Sequence, residues 1–135
     1  MKKVLCFFAI FIILIFSFGC ASITDNGIEG TWLVTYHWSI PQWDSYYYYK
    51  FSSDGKFYYS SNKNSLHDPV YDNYGSEIQS QSPSYYGKYS ISGGKLNLEY
   101  AGERSTDSYT AYYNSTTLYW YNNIYNVEEY RLSRQ

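Results

Sequence analysis

Tyr46-Tyr47-Tyr48-Tyr49-Lys50-Phe51-Ser52-Ser53-Asp54-Gly55-Lys56-Phe57-Tyr58-Tyr59-Ser60 reads as a β-hairpin. Asp-Gly is the strongest short hairpin signal, and the aromatic runs on either side of Ser53-Asp54-Gly55 suit a pleated, half-buried surface. Side chains alternate along a strand, so if Lys50 and Lys56 face water, then Tyr47, Tyr49, Phe51, Phe57 and Tyr59 face inward. Tyr46 and Tyr48, with Tyr58 across the turn, then form an outward aromatic ladder. Such a ladder stabilises a sheet by cross-strand pairing, and it is also a rigid, amphipathic contact surface.

The same alternation of strands and turn residues extends in both directions. Upstream, Thr31-Trp32-Leu33-Val34-Thr35-Tyr36-His37-Trp38 places Trp32, Val34, Tyr36 and Trp38 on one face, and Ile40-Pro41 ends the run because proline cannot donate to a ladder. Downstream, Tyr85 to Ser90 and Lys95 to Tyr100 flank Ser92-Gly93-Gly94, with Tyr89, Ile91, Leu96 and Leu98 inward. Tyr109–Tyr113, Thr117–Tyr121 and Ile124–Ser133 follow, joined by Asn114-Ser115 and Asn122-Asn123, residues that tolerate positive φ. This predicts an all-β domain of roughly eight antiparallel strands in sequence order, closed into an up-and-down β-barrel because closure removes exposed sheet edges. The polar stretch from Ser61 to Ser84 is long for a connection in a compact domain, and reads as a lid, an extra short strand or a mobile insertion.

Outside the barrel, the first twenty residues set the compartment. Lys2-Lys3 precede an uncharged apolar run from Val4 to Phe18 and then Gly19-Cys20, the pattern of a secretory signal helix too short for an ordinary membrane span. The segment resembles a bacterial lipobox at Gly19 and Cys20, which implies lipidation of Cys20 and cleavage before it; Ser17 and Phe18 depart from that pattern. The chain's two cysteines are Cys6, inside this segment, and Cys20, so a chain beginning at Cys20 has no disulfide to form. The expected organisation is a signal peptide over 1–19, a lipidated tether over 20–29 and a barrel domain over 30–135. Location follows as the cell envelope, extracytoplasmic and lipid-anchored. Ala21 in place of Asp favours the outer membrane or cell surface, under the sorting rule of some double-membrane bacteria.

Without Lys2 and Lys3 the chain has 8 basic and 12 acidic side chains, a formal charge of −4, and this argues against nucleic acid as a partner. All 20 Tyr, all four Trp and two of the seven Phe lie beyond the signal, against 15 Ile, Leu and Val. A core built on tyrosine must bring many hydroxyls to rims, cavities or the surface.

From Gly30 to about Arg134 the chain resembles the small bacterial lipocalin-like domains of the calycin type. The resemblance is carried by Gly30-Thr31-Trp32, Phe51-Ser52-Ser53-Asp54-Gly55-Lys56-Phe57, Gly87-Lys88-Tyr89-Ser90-Ile91 with Leu96-Asn97-Leu98, and Tyr130-Arg131-Leu132. It implies a barrel with one open end, closed at the other by Trp32 under a basic residue, matched here by Arg131 or else Arg134. It implies no catalytic residue.

The residues themselves offer little for catalysis. A chain starting at Cys20 has no thiol beyond the lipidated one, and the chain's only histidines are His37 and His67. Glu128 and Glu129 are neighbours on a strand and point to opposite faces. The sequence therefore predicts a non-enzymatic protein with no cofactor and no metal. The expected ligand is small and apolar or amphipathic, in a cavity lined by Trp38, Tyr47, Tyr49, Tyr89, Leu98 and Trp120. The alternative is a surface module that binds a protein or glycan through exposed tyrosines and the 61–84 loop.

Overall fold

A computed structural model describes residues 27–39, 46–103 and 106–135. The expectations for the signal, Cys20, most of the tether and the Ile40-Pro41 strand end lie outside the described residues. Among the described residues eight strands follow in order: β1 Gly30–His37, β2 Tyr48–Phe51, β3 Lys56–Ser60, β4 Tyr85–Ser92, β5 Lys95–Tyr100, β6 Thr106–Tyr113, β7 Thr117–Asn122 and β8 Val127–Arg134. Each pairs antiparallel with its neighbour and β8 returns to β1, so the sheet is a closed barrel.

The opening hairpin forms as the sequence predicts. Phe51 faces Phe57 and Tyr49 faces Tyr59 across the ladder. Gly55 takes φ 79, and Ser52 N–H donates to the Lys56 carbonyl at 2.9 Å. Its inward residues join Trp32, Val34, Leu96, Leu98, Ala111, Leu118, Trp120 and Leu132 in one core, in which Trp32, Phe57, Leu96, Leu98, Leu118, Trp120 and Leu132 are wholly buried.

One end of the barrel is sealed. Trp32 Nε1 donates to the Ile28 carbonyl at 2.7 Å, and Ile28 is itself fully buried. The Arg134 guanidinium lies 4.6 Å from the Trp32 ring, donates to the carbonyls of Gly27 and Glu29 at 2.7 and 3.0 Å, and reaches the Tyr113 hydroxyl at 3.0 Å. The expected partner Arg131 is not the closing residue. Alternation from the buried Leu132 sends Arg134 inward and Arg131 out, where it pairs with Glu128 at 2.8 Å and lies over the rings of Tyr36 and Tyr119.

A bulge in β1 overturns part of the predicted face. The register with β8 shifts between Val34 and Tyr36, and beyond it the alternation inverts. His37 turns inward against Tyr130, with ring centroids 4.3 Å apart, while Tyr36 lies under Arg131 on the outside. Trp38 is 47% exposed and rests against Tyr125.

The 61–84 stretch packs against the outer wall. Lys50 Nζ donates to the Leu66 carbonyl at 3.1 Å, and Asp68 accepts from Lys56 at 2.8 Å and from the Tyr58 hydroxyl at 3.0 Å. Tyr58 is consequently buried at 5% exposure, so the expected outward ladder is covered at its centre by the chain itself. The same stretch holds a 3-10 turn at Lys63–Ser65 and an isolated bridge between Tyr71 and Glu77.

Candidate functional site: a tyrosine cup at the open end

Strand direction assigns the two ends. Gly30 of β1 and Arg134 of β8 meet at the sealed end, so His37, Tyr59, Tyr85, Tyr100, Asp107 and Tyr130 gather at the other. There Tyr49, Tyr59, Tyr85, Tyr100 and Tyr130, with Glu103 and Asp107, line an open cavity of about 240 Å³. Below it the barrel is filled: Tyr49 and Tyr130 rest on Trp120, with ring centroids 5.0 and 4.8 Å away. The described chain enters at Gly27 beside Arg134, at the end away from the cup.

The rings form a continuous wall. Tyr49 meets Tyr59 at 4.7 Å and Tyr59 meets Tyr85 at 5.8 Å, both tilted. Tyr85 and Tyr100 stand at 83° to each other, as do Tyr49 and Tyr130, so ring planes close the cup from different directions. Alternation along β6 places Asp107 on the same face as Tyr109 and the buried Ala111. Asp107 accepts from the Tyr109 hydroxyl at 3.3 Å and from Tyr100.

Burial dominates the acidity of these phenols. Desolvation pushes Tyr49, Tyr59, Tyr100 and Tyr109 well above the ordinary tyrosine range, and Asp107 raises Tyr100 and Tyr109 further. Tyr130 is pushed up to about 12, chiefly by burial and against the lowering effect of a hydrogen bond from Tyr49. Tyr49, Tyr59, Tyr100, Tyr109 and Tyr130 are therefore neutral phenols at neutral pH. His37 packs behind Tyr130, and its Nδ1 accepts from the Ser39 N–H at 3.3 Å.

Of the six residues expected to line a cavity, Tyr49 lines the cup. Leu98 and Trp120 are core, wholly buried. Tyr47 stacks on Tyr59 at 5.0 Å, outside the cup lining. Tyr89 lies toward the sealed end, donating to the Ser52 carbonyl at 3.0 Å. Trp38 is outside, for the reason given by the β1 bulge. Sequence reading missed Tyr59, Tyr85, Tyr100, Tyr130, Glu103 and Asp107 as cavity residues; counting back in twos from Ala111 reaches Asp107. The sequence matches no family profile, and comparison with curated proteins and with solved structures finds no match either.

A second concavity lies on the outer wall. Tyr112, Tyr119 and Tyr121, with Thr110, Asn114, Asn123 and Asn126, line an open groove of about 680 Å³. Tyr112 and Tyr121 meet edge to face at 5.7 Å.

Proposed function

We propose that this is a bacterial extracytoplasmic lipoprotein, held to a membrane through lipid on Cys20, whose lipocalin-like barrel binds one small amphipathic ligand in the tyrosine cup and catalyses nothing. The observation that carries the binding reading is the cup itself. A barrel of eight strands stands at the size where side chains either fill the interior or leave room for one small ligand, and here the fill stops short of the open end. A space of about 240 Å³ suits a molecule, or a head group, smaller than the occupants of sites of roughly 300–1,000 Å³. Aromatic walls with a few hydroxyls and carboxylates are the lining that orients an amphipathic guest. The anchor rests on Lys2-Lys3, the apolar run, Gly19-Cys20 and the lack of any later cysteine.

Native mass spectrometry of the full chain, purified from its own host in a mild non-ionic detergent, tests both parts. The expected spectrum shows a diacylglyceryl-bearing N-terminus at Cys20 and a retained small-molecule adduct. Cys20→Ser should move the protein from the membrane to the soluble fraction. A protein that carries no adduct, and takes up none from a host extract, removes the ligand-binding reading.

A second reading, recognition of a glycan or protein by the outer wall, is favoured by the groove of Tyr112, Tyr119 and Tyr121 flanked by three asparagine amides. Binding that survives blockage of the cup and is lost in Tyr112→Ala with Tyr121→Ala would establish it.

A further inference from the structure

The sign of charge that the cup accepts follows from its lining, given the ligand-binding reading above. Five tyrosines and two carboxylates, Glu103 and Asp107, line it, and no lysine, arginine or histidine does so among the described residues. Asp107 takes part in none of the ion pairs formed among the described residues, which join Lys56 to Asp54 and Asp68, and Arg131 to Glu128. Its known partners are the neutral phenols of Tyr100 and Tyr109. Those bonds orient the carboxylate, and neither phenol carries a positive charge.

The walls favour the same kind of guest. Tyrosine rings present a negative face, and several rings set at steep angles around one space are the arrangement that attracts an organic cation on more than one side. An anion would meet the ring faces and both carboxylates at once. The net negative charge of the chain would also draw cations toward the barrel.

We propose that the cup is a binding site for a small organic ammonium ion, its cationic head enclosed by Tyr49, Tyr59, Tyr85, Tyr100 and Tyr130 and its charge matched by Asp107 and Glu103. The opening leaves any tail of the ligand free to project into solvent. The cation supplies what the phenols of Tyr100 and Tyr109 cannot, a positive charge beside the Asp107 carboxylate. The compactness of the space selects a small head over a long hydrocarbon.

Two probes of nearly equal shape separate charge from volume: choline, and 3,3-dimethylbutan-1-ol, in which carbon replaces the ammonium nitrogen. Titration of the full chain in non-ionic detergent by calorimetry, with NMR of the probe methyl groups, should show choline binding about tenfold or more tightly than the alcohol, its methyl signal shifted upfield by the surrounding rings. Asp107→Asn should cut choline affinity several-fold, leave the alcohol unchanged and keep the circular dichroism spectrum. Tyr85→Ala, at a half-exposed rim position, should weaken the cation without unfolding the barrel.

Equal affinity for both probes, abolished together by Tyr85→Ala, would overturn the cation preference while the cup stood as a ligand site. Absence of choline binding at concentrations on the order of 10 mM, beyond the range of millimolar sites, would overturn the proposal outright. A copurified neutral adduct from the host would then keep the broader reading, and its absence would remove that too.

Discussion

Gly87→Ala should be among the most damaging single-methyl changes in this protein. Gly87 lies on β4 opposite Tyr100 of β5, and a Cβ placed there would stand 1.9 Å from the Glu99 carbonyl oxygen and 3.0 Å from a Phe57 ring carbon. Cβ atoms are essentially never found within 3.0 Å of another group, so β4 and β5 would have to part locally by about 1.1 Å. A bond such as Ala101 N–H to the Tyr86 carbonyl, now 2.9 Å, would be stretched past useful hydrogen-bonding range. Two or three such bonds at about 0.5–1.5 kcal/mol each, with an overpacking cost of about 1–3 kcal/mol, give a loss on the order of 4 kcal/mol. For a barrel of this size that corresponds to a fall in Tm of roughly 15 °C or more. Thermal unfolding followed by circular dichroism measures it directly. Gly75→Ala is the comparison, since it has φ 80 but nothing within 4 Å of the added carbon, and should cost only the left-handed backbone penalty of about 1–2 kcal/mol. A Gly87→Ala protein that melts within about 4 °C of the parent, a shift worth no more than ~1 kcal/mol, or no lower than Gly75→Ala, would refute the steric argument.

Three further outcomes follow from the same geometry. Arg134→Ala should lower stability by about 1–3 kcal/mol through loss of the stacked contact and charged hydrogen bonds, and Arg134→Lys should restore less than half, because lysine lacks the fork that reaches Gly27, Glu29 and Tyr113 together. Arg131→Ala, by contrast, should leave Tm nearly unchanged. Stability should be flat from neutral pH to about 10 and fall above it. Tyr49, Tyr59, Tyr100, Tyr109 and Tyr130 keep their protons when folded at pH values where the unfolded chain has lost them, each adding a slope of about 1.4 kcal/mol per pH unit. Tyrosinate absorbance recorded with circular dichroism checks this; complete titration near pH 10 with the fold intact would contradict the burial. Asp68→Asn should speed amide exchange across 61–84 with little change in Tm, since Asp68 accepts from both Lys56 and Tyr58 at an exposed site.

The barrel was legible because its strands obey period two and its turns carry Gly, Asp and Asn at the joints. Phe51, Phe57, Leu96 and Leu98 point inward as their alternation requires. Reading failed where one residue changes the count. The bulge between Val34 and Tyr36 has no marker such as glycine at its centre, yet it exchanges His37 for Trp38 on the inner side. Arg131 was favoured over Arg134 as the closing residue although strict alternation from Leu132 selects Arg134. The cup was half legible. Tyr49 and Tyr59 follow from the hairpin as inward residues, whereas the other tyrosines arrive from β4, β5 and β8, and no local pattern says which tyrosines of a closed sheet converge at one rim. The 61–84 stretch gave no sign of its destination because it is attached to the outer wall by isolated polar contacts, through Leu66, Asp68 and Tyr71, that follow no period.

The Arg134 clasp also fixes an order of events. Its bonds to Glu29 and Gly27 join residues 105 and 107 positions apart, and β1 takes its second neighbour from the final strand. No shorter stretch of chain can complete the ring, so both β1 and the growing end remain open strand edges until β8 is present. Closing so long a loop is slow. Closure of this barrel is thereby postponed until β8 has been made, and the ring stays open while the seven strands before it are added.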